Sequence, residues 1–181
     1  NAFKAVQKDR SNNNKNFESG LSATVGFDHE IKEKNKTFDI SMSQIFSEKE
    51  NKKMPTSMSL DEKVSDLVGK VNYNLNNKLN LNYDFAIDQN YNDFNYNEIG
   101  AQTTFDNFNF NINYLEENKH IGNNKYVKSK IEYNLKDNTN LAYEFKRNLI
   151  TDSSEFYNLS YEYLNDCLRA GLVYRREFYN D

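Results

Sequence analysis

The side chains able to make or break bonds are few in this chain. Two histidines, His29 and His120, and one cysteine, Cys167, make up its whole supply of imidazole and thiol. His29 lies near a short turn and His120 in a long polar stretch. Neither has a neighbour at a spacing that would hold zinc. A hydrolase would need a histidine beside a serine or acid at one rim; only His120 is placed to serve, and nothing around it forms such a set. There is no glycine-rich phosphate cradle. Glu116-Glu117 closes a patterned stretch and reads as a solvated rim. Arg169, Arg175 and Arg176 crowd the C-terminal region; Arg169 and Arg175 share one face, and pairing with Glu162 on a neighbouring strand would account for them. Cys167 has no second cysteine to meet, and by itself reads as a small, partly buried residue. Neither catalysis nor a cofactor is expected.

Amides are the abundant polar chemistry. Residues 108–119 read FNFNINYLEENK, with Phe108, Phe110, Ile112 and Tyr114 alternating with asparagines. Period two indicates a strand. One face is large and apolar, and the other is uncharged and hydrogen-bonding. A soluble sheet would turn the apolar face to a core, whereas a membrane barrel would turn it to lipid and the amides to a wet lumen. Hydrated amides in a lumen could bond sugar hydroxyls or phosphates without holding either tightly.

The same alternation recurs along the chain. Leu21–Phe27 and Phe38–Met42 show it, as do Val71–Leu75 and Leu79–Ile87. In the last of these Leu81 and Phe85 oppose Asn80, Asn82 and Asp84. Residues 96–105 alternate poorly, so their faces cannot be read. Then follow 127–135, 141–146 with Leu141 and Phe145 on one side, 157–163, and 168–174 with Leu172 opposite Arg169. Including 108–114, this predicts about ten strands and no helix.

Composition narrows the class. The chain has 181 residues, 37% of them hydrophobic, and a net charge of −4. Its mean hydropathy of −0.95 is low for a packed globule. Yet 13 Phe and 13 Tyr separate it from disordered chains, which are poor in aromatics. Mixed charge without a basic stripe argues against nucleic acid as a partner. No apolar run of about 18 residues exists to span a membrane as a helix. No signal peptide is visible at Asn1, and a start without methionine is expected of a fragment.

The connections favour the membrane alternative. Asn76-Asn77, Asp106-Asn107, Asp137-Asn138 and Asn165-Asp166 read as tight turns, since Asn and Asp tolerate left-handed backbone. Lys32–Lys36 reads as a slightly longer turn. Between these lie the longer links 47–66, 88–93, 117–124 and 149–154. Strict alternation of short and long connections is the habit of an up-and-down membrane barrel. The stretch Lys78–Asp88 also approaches the ~9–11 residues that cross a bilayer at a tilt. On this reading Leu81, Phe85, Phe110, Ile112, Leu141, Phe145 and Leu172 face lipid. Asn80, Asn82, Asp84, Asn109, Asn111, Asn113, Arg169 and Arg175 face the lumen. A stand-alone pore or adhesin barrel and a soluble extracellular β-domain remain the alternatives.

Three sets of residues carry a resemblance. ISMSQIF (40–46) is followed by SDLVGKVNYN (65–74). FNYNEIGAQTTFDNFNFNINYLEEN spans 94–118, and YNLSYEYLNDCLRAGLVYRREFYND spans 157–181. The most specific part is NDCLRAGLVYRREF. Together they resemble the C-terminal barrel region of the LptD family, outer-membrane lipopolysaccharide-assembly proteins, in an alphaproteobacterial-like form. The resemblance implies that 1–181 are the C-terminal portion of a barrel of about 26 strands, with 1–19 a loop or strand end and a closing strand expected beyond Asp181. It implies insertion of lipopolysaccharide into the outer leaflet of a Gram-negative outer membrane. The implied partners are lipopolysaccharide, outer-membrane lipid, an LptE-like plug lipoprotein, and a periplasmic LptA-like bridge reached through an N-terminal domain. It also offers lipid phosphates or the plug as contacts for the arginines, and a cation bridging lipopolysaccharide phosphates at Glu116-Glu117. Relatives bear adjacent cysteines at the turn near Cys167 that bond to an upstream segment. Here the pair reads Asp166-Cys167, which implies at most one such disulfide.

Overall fold

The computed structural model describes residues 20–52, 54, 59–76, 78–119, 122–136 and 138–178. The expectations for residues 1–19, His120, Asn77, Asp137 and the chain beyond Asp181 lie outside them. Ten strands form in the predicted order: β1 (Ser22–Glu33), β2 (Lys36–Ser47), β3 (Leu67–Leu75), β4 (Leu79–Ile87), β5 (Phe94–Phe105), β6 (Phe108–Glu117), β7 (Asn124–Lys136), β8 (Thr139–Asn148), β9 (Ser153–Leu164) and β10 (Arg169–Glu177). They make one antiparallel up-and-down sheet in which every strand pairs with its sequence neighbours. The only helical element among the described residues is a 3-10 turn at Ser59–Asp61.

Two connections differ from expectation. Pairing of β1 with β2 continues to Glu33 opposite Lys36, so the first turn is the dipeptide Lys34-Asn35 and not a five-residue link. Strands β9 and β10 leave residues 165–168 between them, and β8 and β9 leave 149–152. These last two connections are equally long, so short and long do not alternate strictly at the C-terminal end. The left-handed backbone expected at the tight turns is present at Asn76 (φ 50°) and Asp106 (φ 47°).

Hairpins are staggered against one another. Lys36 faces Leu75 with no offset. Leu79 then faces Thr103, two residues short of the end of β5. Phe108 faces Tyr133, three short of the end of β7. Thr139 faces Tyr163, one short of the end of β9. All three offsets run the same way, so each hairpin is shifted along its strands relative to the one before it.

Residues paired across an antiparallel sheet point to the same side, so register alone sorts the faces. One face carries Phe27, Phe38, Val71, Leu81, Phe110, Ile112, Tyr143, Leu159 and Leu172. Rings meet across it: Phe108 stacks on Tyr133 with centroids 4.3 Å apart, and Tyr143 on Tyr157 at 6.3 Å. No second layer of the described residues covers it, and Val25, Phe27, Ile99, Phe105, Leu159 and Leu172 are exposed.

The buried apolar cluster is small and lies on the other face. It comprises Ile45, Val68 and Ala86, with Leu60 and Tyr96 packed against it. It exists because part of the 48–66 connection folds back over the ends of β2–β5. Val64 bridges Phe46, Ser65 Oγ accepts from the Ile45 N–H at 2.9 Å, and the Asn95 amide donates to buried Asp66 at 2.9 Å. Strand β5 accommodates the extra residue Asn95 as a bulge opposite Ala86 and Ile87. At the sheet's two borders, β1 and β10 are exposed along their whole length.

Candidate functional site

The second face is polar, and its side chains form a ladder across the strands. Registered partners trace one row from Asn74 through Asn80, Gln102, Asn111, Lys130, Glu144 and Asn158 to Arg175. A second runs Asn72, Asn82, Gly100, Asn113, Lys128, Lys146. In these two rows amides predominate on β3–β6 and charged side chains on β7–β10.

Some amides pair with each other. Asn80 donates to Asn74 at 2.6 Å, and Asn140 repeats the arrangement with Asn134 at 2.8 Å. Asn113 donates to Glu98 at 2.7 Å, and Glu98 also accepts the Tyr96 hydroxyl. The Asn82 amide lies over Gly100, where a β-carbon would fall 2.2 Å from its oxygen. Gln102, Asn109 and Asn111 extend their amides freely toward a recess of about 460 Å³, together with Asn113, Lys128, Lys130, Glu132 and Glu144.

Cations on this face are matched by carboxylates. Lys128 meets Glu144 at 2.8 Å, and Lys130 meets Glu132. Lys146 meets Glu155 at 2.7 Å, and Lys70 stands 3.9 Å from Asp84. Arg169 bonds Glu162, the pairing anticipated for it, and Arg175 bonds Glu177 at 2.6 Å. Such half-exposed pairs contribute little stability each. Their effect is to leave the face polar with these cations neutralised by carboxylates. Arg176 sits on the opposite side, its guanidinium 4.7 Å from the Phe178 ring centre.

The structure brings Asn80, Asn82, Asp84, Asn109, Asn111, Asn113, Arg169 and Arg175 to this one face. Leu81, Phe85, Phe110, Ile112, Leu141, Phe145 and Leu172 share the other. Gln102 and Glu98 were missed in sequence because β5 alternates weakly; register with β4 and β6 locates them.

Glu117 is not on a solvated rim: it is buried at 3% exposure, registered with Tyr96 beside the folded-back connection. Its neighbour Glu116 accepts from Tyr114 at 2.7 Å and meets Lys125 at 3.1 Å. Cys167 is exposed and unbonded in the 165–168 turn, not partly buried, with its N–H donating to Asn165 Oδ1 at 3.0 Å.

At the opposite ends of the strands the 88–93 loop is ordered by Asp88. Its carboxylate accepts the backbone N–H of Asn92 at 2.8 Å and of Asp93 at 3.2 Å. The Asn92 bond chiefly holds the carboxyl below the usual aspartate range. Tyr91 in this loop donates to Gln44 at 2.8 Å, and Gln44 in turn donates to the Ser65 carbonyl at 3.0 Å. This explains a polar residue buried on the apolar side of β2.

A two-faced antiparallel sheet of this kind is compatible with the family that the sequence matches. Residues 3–173 match the family LptD, described as LPS transport system D. The chain belongs to the LptD family. The role of LptD proteins is LPS transport at the outer membrane, and the family is one of transport proteins. No curated protein matches the chain significantly.

Proposed function

We propose that these ten strands are a stretch of the wall of an outer-membrane LptD barrel that delivers lipopolysaccharide to the outer leaflet. The apolar face meets lipid, and the polar face lines a water-filled lumen through which the saccharide passes. The observation that carries this reading is the uncovered apolar face. It extends over ten strands, whereas a soluble monomer exposes apolar patches of a few hundred Å², and among the described residues the buried apolar cluster is the small one at Ile45, Val68 and Ala86. Strands of 9 to 13 residues suit a tilted crossing of the bilayer.

The exposed borders β1 and β10 fit a wall that continues on both sides. An unpaired sheet edge is otherwise a liability, and an open edge cannot face hydrocarbon. In this reading residues 1–181 are the C-terminal portion of a larger barrel of about 26 strands, within the range known for such proteins. The turn bearing Cys167 lies on the periplasmic side, where its thiol can bond an upstream cysteine. An LptE-like plug and an LptA-like bridge complete the path.

A cysteine scan of residues 108–114 in the full-length protein, in membranes, tests the assignment of faces. Even positions should react with a lipid-phase reagent and odd positions with a water-soluble one. Even positions closed to both would mean a dry protein core and would overturn the barrel.

A further inference from the structure

We infer that the recess spanning β5 to β8 is a subsite for the uncharged, hydroxyl-rich part of the transported saccharide, and not for its phosphorylated part. The inference rests on the reading of the polar face as a lumen and adds which portion of the cargo this portion of the wall takes.

Two features on adjacent strands carry it. Gln102, Asn109 and Asn111 line the recess, and among the described residues their side-chain amides have no hydrogen-bond partner. Each amide offers both a donor and an acceptor, which is the complement of a sugar hydroxyl that also does both. A phosphate only accepts, and its recognition calls for unpaired cations or a guanidinium fork. The two cations lining the recess are already engaged, Lys128 with Glu144 at 2.8 Å and Lys130 with Glu132. Two positive and two negative charges cancel, so the recess carries no net field to attract an anion. Releasing either lysine for a phosphate would strand its carboxylate beside the incoming charge. The volume of about 460 Å³ is within the range of small-ligand sites. Weak, replaceable amide contacts also suit a cargo that must move on.

The test uses the full-length protein in its own outer membrane, with a photo-reactive benzophenone residue replacing Asn111. The probes are lipopolysaccharide bearing a long uncharged glycan and a truncated form ending at its phosphorylated sugars. Adducts should be about tenfold more abundant with the long form, the effect of losing two ordinary hydrogen bonds. Equal or stronger adducts with the truncated form would overturn the inference, as would adducts with neither. The same probe at Ile112 should capture lipid acyl chains with both forms; glycan adducts there would instead overturn the assignment of faces. Because a bulky probe can impair assembly, the Gln102→Ala/Asn111→Ala double variant gives a second measurement. Its surface delivery of the long form should fall relative to the truncated form, and an equal fall for both would refute the subsite.

Discussion

The ring of Phe85 lies across Gly69, its registered partner on β3, filling the space that a side chain there would need. A β-carbon at position 69 would fall 2.2 Å from the ring. Phe85 is thereby 9% exposed although it belongs to the apolar face. Gly69→Ala should force the ring out of its place and destabilise the assembled barrel by about 1–3 kcal/mol, the usual cost of overpacking. Denaturant titration of the membrane-embedded protein measures it. A Gly69→Ala/Phe85→Leu double variant should recover part of the loss; no recovery would show that the contact is not the cause.

Side-chain direction predicts opposite outcomes at adjacent positions of β6. Ile112→Arg puts a charge on the apolar face and should cost roughly 2–4 kcal/mol if that site lies near the bilayer midplane. Asn111→Arg leaves the charge hydrated on the polar face and should hardly affect folding. Heat-modified gel mobility of the two variants in membranes reports assembly. Comparable damage from both would contradict the two-faced arrangement.

The exposed thiol of Cys167 should be oxidised in the mature full-length protein. Non-reducing electrophoresis of the native protein and of Cys167→Ser should then differ in mobility. Identical mobility together with a thiol that reacts at Cys167 would dispose of the disulfide.

The 88–93 loop should respond to acid through Asp88. Its folded-state pKa lies below the unfolded value of about 3.9. The contribution is therefore complete above that value and is lost as the pH falls through the lower, folded one. Amide hydrogen exchange at Asn92 and Asp93 should accelerate below about pH 4, after correction for intrinsic rates. In Asp88→Asn that acid-dependent step should disappear; its persistence would assign the effect to another group.

Strand order and the two faces were legible because period-two alternation is a direct consequence of the pleat. Strand β5 was not, since Gly100, Ala101, Thr103 and Thr104 put small groups on both sides and Asn95 breaks the register. Its faces follow from its neighbours and not from its own residues. The burial of Glu117 and Asp66 was hidden for a different reason. Both depend on a connection folding back over strand ends, a long-range contact that leaves no local period. The amides of the recess were visible singly, as Asn109 and Asn111. Their grouping with Gln102 and with paired Lys128 and Lys130 needed the register across four strands, β5 to β8.

The one-way offset between hairpins makes the sheet a ramp. The row that begins at Asn74, next to the Asn76 turn, climbs as it passes from strand to strand and reaches Arg175, two residues from the far end of β10. Moving across the sheet is therefore also moving along its strands. Along these rows the shift from mostly amides on β3–β6 to mostly charged side chains on β7–β10 is therefore a shift along the strands as well as across them. In the proposed lumen, a passing chain would meet rows rich in amides first and rows rich in ion pairs after, in an order set by register.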